Sequence, residues 1–441
     1  MNLYKTQMKL YSTLNKDITA NFKEAVIKGV PPGGGLFMPS YLPKLRDDFY
    51  KSHRDSSLPE MAFEICKILI GDEIPDAHLK SIIFDNLNFD APLKKLENNK
   101  YILELFHGPT LAFKDFGAKF MAGVLSYFTK NNNKETIILV ATSGDTGSAV
   151  ANGFLGKEGI KVVLLYPSGK VSKIQEQQLT TIGGNVTALE IDGTFDDCQR
   201  LVKEAFSDTG LNSLLTLSSA NSINIARLIP QSFYYHYAYS KLENKSLPVV
   251  FSVPSGNLGN ITAGLFAKEM GLPACKFIAA VNANNIVPEY IRTSVFTPKP
   301  SVATLSNAMD VGNPSNFQRI SSLFNKDYEA IKELIYSNSY SDSETLKGIK
   351  EVLDLYDYTI DPHGAVGYLA LKDFLKEQNE SFVSIILETA HPAKFNDTVT
   401  SAIGKSIIIP EGLKSALDKK KHSIKMIADY NHLRDFLKGF E

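Results

Sequence analysis

The chain reads as an α/β protein built on two open parallel sheets. Short β-branched runs alternate with amphipathic stretches, and the alternation pauses over one long helical segment before it resumes. Its length of 441 residues is about three times the ~150-residue prior for one domain. Strands that alternate with helical patterns imply βαβ units and hence parallel sheets.

The first 95 residues are less regular, and Pro31-Pro-Gly-Gly-Gly35 there is a loop with no helical pattern after it. Tyr101 to Phe106 is strand-like and enters a Gly-Pro turn. From Lys114 onward, Phe116, Phe120, Val124 and Phe128 fall at helical spacing. Thr136–Thr142, Lys161–Tyr166 and Asn185–Ile191 read as buried strands, with helices from Gly147, around Lys173–Thr181 and over Phe195–Phe206. The long helical segment spans Ser222–Leu242. Pro248–Val253, a turn at Ser255–Asn260, a helix over Ile261–Met270 and a strand at Lys276–Val281 follow, and Phe382–Leu387 is a last buried strand. We therefore expect an N-terminal region over 1–95, one α/β unit over 96–225 and a second over 226–441.

Composition excludes several classes. With 47 basic and 48 acidic residues the formal charge is −1, so the basic excess of a nucleic-acid footprint is missing. A hydrophobic content of 44% and a charged content of 22% are those of a globular chain that buries a core. Three dispersed cysteines, Cys66, Cys198 and Cys275, make neither a disulfide framework nor a CxxC site and suit a reducing compartment. No apolar run approaches the ~18 residues of a membrane span, and the first residues lack a signal-peptide stretch. The expectation is a cytoplasmic protein without a membrane or nucleic-acid partner, and without a metal site. GxxxxGK[ST], a GxGxxG after a strand, HExxH and GxSxG are all absent.

Three segments carry chemistry instead. In His107-Gly-Pro-Thr-Leu-Ala-Phe-Lys114-Asp-Phe, Lys114 falls at the first turn of a helix between apolar Phe113 and Phe116. The positive helix terminus and apolar surroundings both favour the neutral amine, the form that attacks an aldehyde. Taken alone, Lys114 reads first as a surface lysine at a helix start. Ser143-Gly-Asp-Thr-Gly147 and Ser255-Gly-Asn-Leu-Gly-Asn260 both lie between a strand and a helix, where free backbone N–H groups suit an anion. Each is also compatible with a tight turn and a helix cap. Two such turns together with the lysine supply one Schiff base and two anion sites.

Gly108-Pro-Thr-Leu-Ala-Phe-Lys-Asp-Phe-Gly117 resembles the pyridoxal-phosphate lysine motif of the threonine synthase family. The resemblance runs over nearly the whole chain, through Gly35-Leu-Phe-Met-Pro39, Ala141-Thr-Ser-Gly-Asp-Thr-Gly147, Ser219-Ala-Asn-Ser-Ile-Asn224, Pro254–Asn260, Ser306-Asn-Ala-Met-Asp310 and Thr389-Ala-His-Pro-Ala-Lys-Phe395. It implies a tryptophan-synthase-β-type fold, with pyridoxal 5'-phosphate between two α/β domains. Lys114 would be the catalytic Schiff-base lysine, while Gly256, Asn257, Leu258, Gly259 and Asn260 would hold the cofactor phosphate. Thr389 would face the pyridine nitrogen. The implied reaction turns O-phospho-L-homoserine and water into L-threonine and phosphate, in a monomer or homodimer. A second dianion site is then needed, for which Ser143, Asp145, Thr146, Asn221, Ser222, Asn224 and Arg227 are the candidates. Arg227 reads equally as a surface arginine. Asp145 is a difficulty, because some related enzymes carry an asparagine there that donates to the ring hydroxyl, and a carboxylate repels a phosphate. Lys119, Lys173 and Lys394 are further cations that spacing does not separate. A serine/threonine dehydratase-type lyase and a non-catalytic relative are the alternatives.

Overall fold

A computed structural model of the chain describes residues 8–130, 132, 134–142 and 144–440. Among them, two large sheets organise the molecule. One has five parallel strands in the order Ile424–Ile427, Val186–Asp192, Ile160–Pro167, Thr136–Ala141 and Thr216–Ser218. The other has six, in the order Ile335–Ser339, Ala274–Val281, Val249–Pro254, Val383–Glu388, Lys100–Glu104 and Leu93–Glu97, all parallel except the last. Every residue of Thr136–Ala141, Val249–Pro254 and Val383–Glu388 is buried, as expected for parallel strands covered by helices on both faces.

The sheets interleave along the chain. Lys100–Glu104 precedes the helix Lys114–Thr129 yet pairs with Val383–Glu388 in the six-stranded sheet. Ile424–Ile427, near the C-terminus, instead edges the five-stranded sheet beside Val186–Asp192. Divisions at 95/96 and 225/226 therefore follow chain order rather than strand pairing. Residues at the C-terminal end are also pinned to that sheet by the Lys421 ammonium, 2.6 Å from Glu176 and 2.8 Å from Glu190.

The N-terminal residues form a small antiparallel sheet of Thr19–Ala20, Leu10–Ser12 and Phe37–Pro39, with helices at Phe22–Lys28, Leu58–Ile70 and Asp76–Asn86. They cover the helix that begins at Lys114, where Phe22 meets Phe128 and Phe89 meets Phe116 edge-on. The buried aromatic helix Phe233–Lys241 bridges that helix to the six-stranded sheet, through Tyr234 on Phe116 and Tyr235 on Phe251. No helix among the described residues is long and apolar enough to cross a membrane.

Open parallel sheets bind ligands outside the carboxyl ends of their strands. The turn before Asp145 leaves the carboxyl end of Thr136–Ala141, Ser255–Leu258 leaves that of Val249–Pro254, and Thr389 follows Val383–Glu388 directly. The fold thus places these predicted segments at the carboxyl ends of strands from both sheets.

Candidate active site

The lysine loop is stitched to the segment after Val383–Glu388. Ala112 and Ala390 form an isolated bridge, the Phe113 N–H donates to the Thr389 carbonyl at 2.9 Å, and the His391 N–H donates to the Leu111 carbonyl at 3.0 Å. Leu111 has φ 56°, the left-handed region that non-glycine residues enter at tight, often functional, turns. Within the loop, Thr110 donates to the buried Asp115 carboxylate from its N–H at 2.8 Å and from Oγ1 at 2.6 Å. A Cβ on Gly108 would lie 2.5 Å from Asp115 Oδ2, so only glycine permits this approach. Burial raises the Asp115 carboxyl to about 6, against the Thr110 bonds that lower it.

These contacts place Lys114 beside Thr389, as the first residue of Lys114–Thr129. Its amine is pushed down to about 8, chiefly by burial, with Asp145 opposing and the positive Lys394 and Arg227 adding to the effect. Asp145 opens the helix Asp145–Phe154 and is 4% exposed. Lys394 Nζ lies 2.7 Å from its Oδ1 and also donates to the Thr110 carbonyl at 2.9 Å, while Gln175 Nε2 donates to Asp145 at 3.0 Å. Burial alone would raise the Asp145 carboxyl, but Lys394, Lys114 and the two hydrogen bonds together hold it well below its ordinary value.

On the other sheet, Leu258 in the left-handed region (φ 59°) turns the chain into the helix Gly259–Glu269. The first N–H groups of that helix have no intrahelical acceptor. The Asn257 side chain braces the turn, donating to Ser222 Oγ at 2.7 Å and accepting from the Ser315 N–H, and Asn316 Nδ2 donates to its carbonyl at 3.0 Å. Arg319, fully buried, donates to Asn316 Oδ1 and to the carbonyls of Phe37, Ser222 and Ile223. It thereby joins the N-terminal sheet to this turn. Asn260 accepts from Tyr234 and Tyr235 at 2.6 and 2.8 Å, and its buried Nδ2 has no partner. A Cβ on Gly256 would lie 2.7 Å from Met309 Cα.

Three family descriptions match the chain in series. "Threonine synthase N terminus" covers residues 9–86, "Pyridoxal-phosphate dependent enzyme" covers 87–387, and "Threonine synthase, C-terminal" covers 364–437. A threonine synthase from Haemophilus influenzae is 45% identical over 431 residues, with 98% of this chain and 99% of the relative covered. The chain belongs to the threonine synthase family. Two solved structures agree in fold over the full length. The crystal structure of threonine synthase from Escherichia coli has a TM-score of 0.92 at 42% identity, covering 98% of this chain and 100% of that one. The pyridoxal-phosphate-bound threonine synthase from Brucella melitensis has a TM-score of 0.92 at 32% identity, covering 98% and 99%.

Threonine synthases of this family use pyridoxal phosphate, and the residues present fit it. A near-neutral amine suits an aldehyde. The turn at Gly256–Asn260 brings a helix N-terminus and the unpartnered Asn260 Nδ2 to one place, as a phosphate requires. With the Lys114 amine near 8, the rate of cofactor reconstitution onto apo protein should rise about tenfold per pH unit at low pH and level off above about 8, since only the neutral amine attacks. Stopped-flow absorbance across pH 6 to about 9.5 measures this.

The substrate candidates fare differently. Arg227 is 2% exposed, not a surface arginine. One of its guanidinium N–H groups bonds to the Ala220 carbonyl, its Nε has no partner, and it packs so close to Gly117 that a Cβ there would lie 2.8 Å from Nε. Asn221 keeps a buried, unpartnered Oδ1. Ser222 is tied to Asn257, and Thr146 is half-buried in the first turn of its helix. Asn224 is corrected to a structural cap. It donates to the Val26 and Ser219 carbonyls at 3.0 Å each and accepts from the Ala226 N–H, so both amide protons are used. Ser143 lies outside the described residues. Two amides of its turn, those of Gly144 and Gly147, are taken by Thr142 Oγ1 at 3.0 and 2.8 Å, leaving fewer for an anion than the turn sequence suggests.

Sequence reasoning missed Gln175, whose only signal is the capping box Ser172–Gln175, and left Lys394 unseparated from Lys119 and Lys173. Three histidines of these segments are engaged structurally: His107 with Glu104 at 2.8 Å, His363 with Asp361 at 2.6 Å, and His391 as the cap of Pro392–Phe395.

Proposed function

We propose that this threonine-synthase-family protein converts O-phospho-L-homoserine and water into L-threonine and phosphate, in the cytoplasm. The carrying observation is the buried, incompletely satisfied guanidinium of Arg227 against the lysine helix. In addition to the Gly256–Asn260 turn, it offers a cationic centre for a second phosphate. A dehydratase of unphosphorylated hydroxy-amino acids needs no second phosphate site. Three free cysteines, Cys66, Cys198 and Cys275, fit a reducing compartment.

Lys114 would hold the cofactor, Gly256–Asn260 its phosphate, and Thr389 would meet its ring nitrogen. When bound, the cofactor supplies an electron sink for negative charge at the substrate's α-carbon. The Lys114 amine, when not bonded to the cofactor, would have a pKa lowered to about 8, so its neutral fraction could take the Cα proton and return a proton later. Asp145 is committed to Lys394 and Gln175, whereas Arg227 and Asn221 keep unpartnered polar atoms, so the substrate phosphate belongs on the side of Arg227, Asn221 and Ser222. Asp115, Asp145 and Lys394 are buried around the half-buried Lys114, which would limit the access of bulk water to that amine. A neutral hydroxyl at Thr389 holds a ring proton less firmly than a carboxylate does, which leaves more of the charge stabilisation to these fixed groups.

The test is incubation of the pyridoxal-phosphate-loaded protein with O-phospho-L-homoserine, with threonine and phosphate quantified together. Equal amounts of both are expected. Phosphate with a keto acid in place of threonine would make it an elimination lyase, and neither product would overturn the catalytic reading.

A further inference from the structure

Asp145 and Lys394 come from opposite halves of the molecule. Asp145 follows the strand Thr136–Ala141 of the five-stranded sheet, and Lys394 follows Val383–Glu388 of the six-stranded one. They meet at 2.7 Å with 4% and 1% of their surfaces exposed. The Thr110 carbonyl of the lysine loop takes a second Lys394 proton at 2.9 Å, and Gln175 gives Asp145 a second donor at 3.0 Å. Gln175 also packs so tightly on the turn that a Cβ on Gly144 would lie 2.5 Å from its Cδ. The two charges bear on the Lys114 amine in opposite senses, Asp145 raising its pKa and Lys394 lowering it. The other charged groups around them are Arg227 from the Ile225–Leu228 helix, Asp115 on the lysine's own helix, and His391 on the Lys394 segment.

We propose that Lys394 and Asp145 form a positioning pair for the reaction, whose opposite charges cancel at Lys114 so that its amine passes between bound and free forms without being locked as an ammonium. A lone buried carboxylate there would hold the adjacent amine protonated, and a lone buried ammonium would drive it neutral. Together they present a dipole with little net charge while fixing Thr110, and with it the loop that carries Lys114. Stability alone does not account for the pair, because buried ion pairs are commonly replaceable by packed apolar residues without loss of stability. The proposal rests on Lys114 being the cofactor lysine.

The two charges predict shifts of opposite sign, which a merely structural role does not. Lys394→Met, Asp145→Asn and the double variant are prepared as holoenzymes, and their cofactor absorbance is titrated against pH. In parallel, apo protein is reconstituted with pyridoxal phosphate across pH, a readout that needs no turnover. Lys394→Met should raise the pH midpoint of reconstitution by about one unit or more, and Asp145→Asn should lower it comparably. The double variant should return close to the wild-type midpoint. Lys394→Arg keeps the charge and should stay near wild type, which keeps the question decidable if Lys394→Met does not fold. Shifts in the same direction for both single variants, or no shift in either, overturn the proposal. So does a Lys394→Arg midpoint displaced as far as that of Lys394→Met. Cofactor absorbance that survives Lys114→Ala would instead refute the reading of Lys114 itself, and the two failures are thus distinguishable.

Discussion

Lys114→Ala is expected to remove both the long-wavelength cofactor absorbance and turnover. The loss should exceed the factor of about 10² to 10⁴ that one general base contributes, because in the proposed role the same amine also holds the cofactor. Among the described residues, the lysines nearest in the fold are otherwise engaged. Lys394 is committed to Asp145 and the Thr110 carbonyl, and Lys119 lies further along the same helix, half-buried and facing Asp115. The fold should survive, since Lys114 is half-buried at a helix start where alanine is well tolerated. An unchanged Tm would separate lost chemistry from lost structure. The chain has no tryptophan, so cofactor absorbance and fluorescence can be followed without indole overlap. Absorbance that persists in Lys114→Ala would put the cofactor on another amine, with Lys394 first to be tested.

What the sequence could and could not disclose follows from the range of the interactions involved. Thr136–Ala141 and Val249–Pro254 were readable because strands buried on both faces are continuous apolar runs. Lys114 at a helix start was readable from the Phe116, Phe120, Val124 spacing alone. The pairing of Lys100–Glu104 with Val383–Glu388 was not, since it joins segments some 280 residues apart by backbone hydrogen bonds that no side-chain pattern encodes. Ile424–Ile427 is an edge strand with three of four residues exposed, so it carries no apolar signal. In the site, Lys394 and Asp145 are oppositely charged residues about 250 positions apart in sequence, and nothing local marks either as the other's partner. Arg227 and Asn224 sit three residues apart in one motif, yet one is incompletely satisfied and the other saturated. That difference depends on the Val26 and Ser219 carbonyls, which only the folded chain brings to Asn224.

Gly256→Ala should weaken cofactor binding far more than Gly259→Ala, although both glycines lie in the same turn. The new methyl at 256 would lie 2.7 Å from the Cα of Met309 and 3.0 Å from the Ala308 carbonyl. Backbone atoms cannot rotate out of the way as a side-chain terminus can. The opposing turn is also held in place: His363 Nε2 accepts from the Ala308 N–H at 3.2 Å, and Asp310 accepts from Asn282 at 2.8 Å and from Thr304 Oγ1 at 2.7 Å. The Gly256–Asn260 turn must therefore give way, and overpacking of this kind costs about 1–3 kcal/mol. If that strain falls on the bound form, pyridoxal phosphate affinity drops by about 5- to 150-fold. A methyl on Gly259 would meet nothing closer than Asn316 Nδ2 at 3.5 Å, an ordinary contact, so its effect should be several-fold at most. Equilibrium dialysis of the two variants with the cofactor decides between them. Equal losses would mean that both glycines are needed for close approach of the phosphate itself. The expected inequality would make the Ser306–Asp310 turn, through Met309, the element that sets the shape of the phosphate site.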